Sequence, residues 1–147
     1  MKVLVDTCVI VDVLQNREPF AADAQRVFLA AANKQIQAYV TAKSVTDLYY
    51  LTHRLTHSDH ETRQILAKLL YLFDVLDTTA MDCRQALASE MSDYEDAVMV
   101  ATAVRSEMDR IVTRNTKDYA KAQLPVCTPH ELIQQITDDE DEAESMS

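Results

Sequence analysis

The sequence has 147 residues, 48% of them hydrophobic, and a formal net charge of −10. This length and hydrophobic content suit one domain with a sizeable core, and no apolar run approaches the roughly 20 residues that a membrane-spanning helix needs. The three cysteines are widely spaced and form no Cys-x-x-Cys pair, which argues against a disulfide framework or a thiolate zinc site and favours the reducing cytoplasm.

Apolar runs and stretches with helical apolar spacing alternate along the chain. Parallel strands need crossover connections, so this order predicts an α/β fold with helices on both faces of a mostly parallel sheet of four to five strands. In chain order we predict a strand at 2–6, helices at 7–14 and 19–33, a strand at 37–41, helices at 44–55 and 58–73, a strand at 75–77, helices at 81–89 and 93–108, strands at 110–113 and 126–128, and a helix at 131–136.

Acidic residues are concentrated at the C-terminal end. Residues 138–147 hold six of the 24 acidic residues and no basic residue, so the rest of the chain has 18 acids against 14 bases. This weaker imbalance is compatible with a polyanionic partner if a cation neutralises some of the acids. We expect a folded domain over 1–137 and a disordered acidic tail over 138–147.

Several predicted strands are followed by acidic or amide side chains. The carboxyl ends of parallel strands share one edge of the sheet, where such folds bind their ligands. Asp93 and Asp96 are three residues apart in the first turn of a predicted helix, so both can point at that edge. The full set that we expect there is Asp6, Asp47, Asp93, Asp96, Asn115 and Asp118.

Carboxylates gathered this closely repel one another and raise each other's pKa values. A divalent cation removes that penalty, and oxygen ligands of this kind suit Mg²⁺ or Mn²⁺. Such an ion can activate a water and stabilise the charge that develops on a phosphate and its leaving oxygen. The cluster therefore predicts metal-dependent hydrolysis of a phosphodiester.

Helix capping is the alternative role for several of these acids. Asp6 could cap the helix that follows it, and Ser44-Val45-Thr46-Asp47 resembles a capping box that explains its aspartate as well as metal binding does. Ser92-Asp93-Tyr94-Glu95 is a better box. For Asp93 and Asp96 the alternative is a solvated position favoured by the helix dipole.

The loop after the fourth predicted strand carries two basic residues, Arg114 and Lys117, on either side of Asn115. They are placed to touch phosphates, and the alternative is that they are solvated loop charges. The residues that we expect to bind substrate are Thr7, Thr113, Arg114 and Lys117.

Histidine and aromatic residues on the predicted helices have simpler explanations. His53 and His57 are four residues apart, as zinc ligands can be, but no Cys or Glu-x-x-His companion accompanies them. A position at a surface helix end is the expectation. The aromatic residues that we expect to pack in the core are Phe28, Tyr49, Tyr50, Tyr71 and Phe73.

Three segments carry motifs in a fixed order. They are Val3-Leu4-Val5-Asp6-Thr7-Cys8-Val9-Ile10, then Asp93-Tyr94-Glu95-Asp96-Ala97 running into Ala101-Thr102-Ala103, and Ile111-Val112-Thr113-Arg114-Asn115-Thr116-Lys117-Asp118-Tyr119. In this order and spacing they resemble the PIN-domain family, in particular its small VapC-like ribonucleases, the toxins of bacterial and archaeal toxin–antitoxin pairs. The resemblance runs to about residue 136.

The resemblance implies a PIN-like three-layer α/β/α fold and a metal-dependent endoribonuclease that leaves a 5′-phosphate. It makes Asp6 and Asp96 the principal ligands of Mg²⁺ or Mn²⁺, and it places Asp47 where the family usually carries Glu. It also implies a homodimer, an RNA substrate and an antitoxin that fills the acidic crevice. By motif position the catalytic set is Asp6, Asp47, Asp96 and Asp118, and the metal ligands are Asp6, Asp93, Asp96 and Asn115.

Other functions fit the sequence less well. A non-catalytic PIN-fold module with a degraded site remains an alternative, because Asp47 and Asn115 depart from a full set of acids. The complete absence of glycine argues against loops that bind ATP or NAD phosphates. A dehalogenase-type phosphatase would need a second Asp two residues after the first, where Cys8 stands. A receiver domain would need a Lys after a late strand, and this sequence has no convincing one.

Overall fold

Five parallel strands form the central sheet. In the computed structural model, which describes residues 1–146, they are β1 (Lys2–Val5), β2 (Gln37–Thr41), β3 (Asp74–Leu76), β4 (Arg110–Val112) and β5 (Val126–Cys127). Their order is β3-β2-β1-β4-β5, so β1 is central and pairs with β2 on one side and β4 on the other. The predicted parallel sheet is confirmed.

Helices connect the strands and cover both faces of the sheet. They are α1 (Thr7–Leu14), α2 (Ala21–Ala32), α3 (Ala42–Thr56), α4 (Asp59–Leu72), α5 (Ala80–Leu87), α6 (Tyr94–Arg105) and α7 (Pro129–Met146), with a 3₁₀ turn at Thr116–Tyr119. This confirms the three-layer α/β/α fold. Within the described residues, no helix combines the length and the apolar character needed to cross a bilayer.

The central strand β1 is buried on both faces because its side chains alternate between two core clusters. Val3 and Val5 belong to the larger cluster, which includes residues of α1, α2, α3, α4 and α7. Leu4 belongs to the smaller cluster with Val100 and Ala103 of α6. The continuous apolar run at the start of the chain is therefore the signature of the innermost strand, and the residue after it reaches the carboxyl edge of the sheet.

The aromatic residues divide between the core and the surface. Phe28 and Phe73 pack edge to face, with ring centroids 5.1 Å apart, as expected of core residues. Tyr50 and Tyr71 are 66% and 91% exposed, so the prediction that they pack in the core is wrong. Tyr49 stacks on the ring of His53 at the surface of α3.

Helix α3 begins before the position that its predicted capping box gives, and helix α6 begins after the position that its own box gives. The Ser44 N–H donates to Thr41 Oγ1 at 3.2 Å, so Thr41 caps α3 and Asp47 lies in its second turn. The Asp96 N–H donates to Asp93 Oδ1 at 2.9 Å, which makes Asp93 the cap of α6 in place of Ser92. Capping therefore does not account for the Asp47 carboxylate, whereas it does account for one oxygen of Asp93.

Helix α7 continues into the acidic segment, where we expected disorder. Buried Leu132 and Ile136 anchor its first half, and each further residue of an anchored helix adds one backbone hydrogen bond. Gln35 of the chain before β2 also donates to Glu140 at 2.6 Å. Residues 138–146 are consequently helical, Ser147 lies outside the described residues, and the division of the chain at residue 137 stays a prediction.

Candidate functional site

Asp6 follows β1 at the carboxyl edge of the sheet. Its backbone occupies the N-cap position of α1, yet its side chain makes no capping hydrogen bond. The Thr113 hydroxyl donates instead to Asp6 Oδ2 at 2.9 Å. The alternative prediction, that the Asp6 side chain caps α1, is therefore wrong. The carboxylate faces a cavity instead.

Asp96 lies in the first turn of α6 and reaches the same edge of the sheet. Burial is the main cause that raises the pKa of Asp96 to about 6. The negative charges of Asp93, Asp6 and Asp118 raise it further, against the effect of a hydrogen bond from Tyr119. Asp6 and Asp118, which are far from Asp96 in sequence, are therefore near enough to affect its pKa, although burial has the larger effect.

The hydroxyl of Tyr119 lies between these two acids. It is 3.1 Å from Asp96 Oδ1 and 3.3 Å from Asp6 Oδ2, and its residue is only 3% exposed. Burial and the charges of Asp6 and Asp96 raise the pKa of Tyr119, so the phenol keeps its proton. We assigned Tyr119 no function from the sequence. The one signal was its position directly after Asp118, in the 3₁₀ turn that closes the site.

A cavity of about 450 Å³ opens at this edge. Four of the predicted site residues line it, namely Asp6, Thr7, Asp47 and Asp96. The Thr7 hydroxyl donates to Ser44 Oγ at 3.0 Å, which links the start of α1 to the start of α3. Three elements thus bring their first turns to one cavity, as expected for the carboxyl edge of a parallel sheet.

Lys43 bridges the rim of the cavity. Its Nζ lies 2.7 Å from Asp47 Oδ2 and 3.4 Å from Glu95 Oε1, so it joins α3 to α6. The hydrogen bond that Lys43 donates to the Asp47 carboxylate is the main cause that raises the pKa of Lys43. Among the described residues that line the cavity, Lys43 is the one basic side chain. Sequence reasoning missed it because nothing local connects it to Glu95.

Two of the four residues predicted to bind substrate have other roles. Arg114 turns away from the cavity and pairs with the carboxylate of Asp12, while its guanidinium lies 4.6 Å from the ring centroid of Phe20. Thr113 is fully buried beneath Asp6. These two predictions are therefore corrected, because neither side chain presents a polar group to a ligand in the cavity.

The loop after β4 holds the remaining predicted residues. Asn115 precedes the 3₁₀ turn, and its N–H donates to Thr113 Oγ1 at 3.1 Å. Asp118 is exposed, but it lies near enough to Asp96 to raise the pKa of that carboxyl. Lys117 is exposed on the same turn. None of these three side chains lines the cavity, and Asp118 is linked to it through its charge, which acts on Asp96.

The donor set at this edge suits a hard divalent cation. Mg²⁺ is commonly held by one or two carboxylates and keeps several waters. Within residues 1–146, no three His, Cys, Asp or Glu side chains are grouped so that they could hold a metal ion, but two carboxylates, those of Asp6 and Asp96, meet at one hydroxyl. Burial, together with the negative charges of Asp93, Asp6 and Asp118, raises the pKa of Asp96, and a bound cation would favour its charged form. The residues present therefore fit Mg²⁺ or Mn²⁺.

An α/β sheet with carboxylates gathered at its carboxyl edge defines the class of protein, and the comparisons name the family. The family model described as "PIN domain" matches residues 2–117, so the chain belongs to the PIN-domain family. This confirms the family that the sequence motifs indicated. No curated protein matches the sequence.

Solved structures share the fold. VapBC2 of Rickettsia felis, bound to a promoter DNA fragment, matches with a TM-score of 0.65 at 14% identity, over 87% of this chain and 98% of that one. A toxin–antitoxin complex of Klebsiella pneumoniae gives a TM-score of 0.64 at 23% identity, over 86% and 97%. VapBC-1 of nontypeable Haemophilus influenzae gives 0.65 at 14% identity, over 88% and 99%.

Proposed function

We propose that this PIN-domain chain is a metal-dependent endoribonuclease that hydrolyses RNA phosphodiester bonds as the VapC-like toxin of a toxin–antitoxin pair. One observation carries the proposal: Asp6 and Asp96, 90 positions apart, both reach the hydroxyl of Tyr119 at the carboxyl edge of the sheet. Two carboxylates at one point, beside further acids, are what a catalytic Mg²⁺ or Mn²⁺ needs.

The proposed role of each residue follows from its position in the site. Asp6 and Asp96 would hold the cation, with Asp93, Asn115 and Asp118 supporting them from the cap of α6 and the 3₁₀ turn. When bound, the cation supplies an activated water and neutralises charge at the scissile phosphate. Thr113 orients Asp6 through its hydroxyl, which fixes the carboxylate that faces the cavity.

Substrate contacts come from the rim. Lys43 lies on the cavity and Lys117 on the neighbouring turn, and both ammonium groups can meet RNA phosphates. Thr7 lines the cavity and supplies a hydroxyl. With Arg114 paired to Asp12, we keep Thr7 and Lys117 from the substrate-binding set that the sequence indicated and add Lys43.

The similar structures support a partner. Two are VapBC proteins and one is a toxin–antitoxin complex, each matched over nearly the whole length of its chain. We extend that arrangement to this chain: a cytoplasmic toxin, homodimeric as its family resemblance implies, whose acidic cavity an antitoxin covers. We propose that the nuclease domain covers residues 1–137, with the acidic end of α7 outside it.

A non-catalytic PIN module is the alternative, and one observation favours it. Asp47 stands where the family usually carries Glu, and its carboxylate is already paired with Lys43 at 2.7 Å. A site with that acid neutralised has fewer free carboxylates for a cation. If the protein binds a cation but does not cleave RNA, or binds no cation, the non-catalytic module is the correct reading.

The test is cleavage of total RNA and of defined oligonucleotides by the purified protein. We expect cleavage with Mg²⁺ or Mn²⁺, arrest by EDTA, and loss of at least about 100-fold in rate for Asp6→Asn and Asp96→Asn, since each removes a cation ligand. Asp74→Asn, at an exposed position of the edge strand β3, is the matched control and should cleave like wild type. Cleavage that persists in both site variants would assign the activity to a contaminant.

A further inference from the structure

Core packing explains the position of the Tyr119 ring but does not explain its hydroxyl. Its ring belongs to the smaller core cluster, where a phenylalanine would pack equally well. Its hydroxyl, however, reaches two acids, with Met99 Sδ also at 3.4 Å. A buried hydroxyl usually serves one acceptor, so the convergence of two carboxylates on this one requires a separate explanation.

The two carboxylates come from the N-terminal ends of different helices. Asp6 precedes α1 and Asp96 lies in α6, and like charges at the edge of a core would turn away from each other toward solvent. A single phenol donor between them opposes that movement. It attracts both carboxylates to one oxygen, because it can donate to either of them in turn.

The pattern of oxygens separates this role from direct ligation. Within the described residues, Asp6 accepts through Oδ2, from Thr113 and Tyr119, and Asp96 accepts through Oδ1, from Tyr119. The other oxygen of each carboxylate is left for a ligand. Carboxylates that bind metals are commonly held in this way, by a hydrogen bond that orients the group from behind.

We propose that Tyr119 is a positioning residue for the cation of the proposed nuclease: its hydroxyl holds the Asp6 and Asp96 carboxylates toward one point, so that both can ligate one Mg²⁺ or Mn²⁺. The inference rests on the proposed function for the identity of the ligand. It gives a role to a residue at the end of the third motif to which the resemblance assigned none, and it makes the 3₁₀ turn after β4 part of the metal site.

The experiment compares two tyrosine variants by Mn²⁺ binding in the absence of RNA, followed by electron paramagnetic resonance of the free ion. Tyr119→Phe removes only the hydroxyl and should weaken Mn²⁺ binding by about ten-fold or more. Tyr94→Phe is the matched control: Tyr94 lines the same cavity, but its hydroxyl donates to the Cys83 carbonyl at 2.9 Å. It should bind Mn²⁺ like wild type.

Each outcome decides a different question. Wild-type affinity in Tyr119→Phe, or an equal loss in Tyr94→Phe, would overturn the role of Tyr119 while the nuclease stands. Failure of wild type to bind Mn²⁺ would overturn the proposed metal site itself. Circular dichroism in EDTA verifies that both variants are folded.

A second measurement needs no variant. In a crystal of wild-type protein soaked with Mn²⁺, the Tyr119 hydroxyl should stay within 3.3 Å of Asp6 Oδ2 or Asp96 Oδ1, as it is now, while the ion binds the other oxygens. A hydroxyl that has left both carboxylates, or that ligates the ion directly, would overturn the proposal.

Discussion

Arg114 donates two hydrogen bonds, 2.8 and 3.2 Å long, to the carboxylate of Asp12, which is 1% exposed. The pair ties α1 to the loop that carries the site residues after β4. Arg114→Ala would leave a buried charge without its partner, and we expect a loss of about 3–5 kcal/mol in the free energy of unfolding. Urea denaturation followed by circular dichroism measures it.

The matched control is Arg63→Ala. Arg63 pairs with Asp59 at 2.9 Å, but both side chains are more than half exposed, so its removal should cost at most about 1 kcal/mol. Equal losses in the two variants would mean that the Asp12 carboxylate is not buried as described.

Asp96 should make the metal-free protein sensitive to pH. Its pKa is about 6 in the folded protein and 3.8 ordinarily, so the folded state holds this proton more tightly than the unfolded state does. The stability that the proton contributes is complete below pH 3.8 and is lost as pH rises through about 6. Asp96→Asn removes this loss, and its melting temperature relative to wild type should therefore rise between pH 4 and pH 7.

Thermal melts in EDTA across that range test the prediction. After allowance for solvent screening we expect a relative gain on the order of 1 kcal/mol, or about 3 °C. Added Mn²⁺ at pH 7 should stabilise wild type more than the variant. Parallel pH profiles of the two proteins would contradict the raised pKa.

Lys43 should contribute to RNA affinity. As the basic side chain on the cavity, it can exchange Asp47 for a phosphate. In an Asp6→Asn background that cannot cleave, we expect Lys43→Ala to weaken binding of a single-stranded RNA several-fold and to reduce the salt dependence by roughly 0.7 in slope. Fluorescence anisotropy at several salt concentrations measures both. Lys68→Ala, exposed on α4, is the control, and an identical effect there would remove Lys43 from the site.

The acidic end of α7 should be dispensable for the fold. Residues 138–146 are exposed, and their carboxylates oppose the dipole at a helix C-terminus. A chain that ends at residue 137 should melt within a few degrees of wild type and bind RNA more tightly, because six negative charges are removed. Circular dichroism and the same anisotropy assay test this, and a collapse in melting temperature would show that the domain extends beyond residue 137.

The arrangement of elements could be predicted from the sequence because it depends on local patterns. The apolar run Val3-Leu4-Val5 marks a strand buried on both faces. The position of Asp6 at the end of a strand and of Asp96 in the first turn of a helix predicted that both reach one edge, since parallel strands all end on the same side. The acidic segment was misjudged because its composition favours disorder, whereas its helix is continued from the buried residues Leu132 and Ile136.

What the sequence determined by itself was the layered fold and the edge at which acids collect. Only the tertiary structure decided which partner each polar group has. Arg114 pairs with Asp12, 102 positions away, and Tyr119 reaches Asp6 across 113 positions. Such contacts depend on how α1, α6 and the loop after β4 pack against the sheet, because side chains interact through space and the local sequence around each residue holds no record of its distant neighbour.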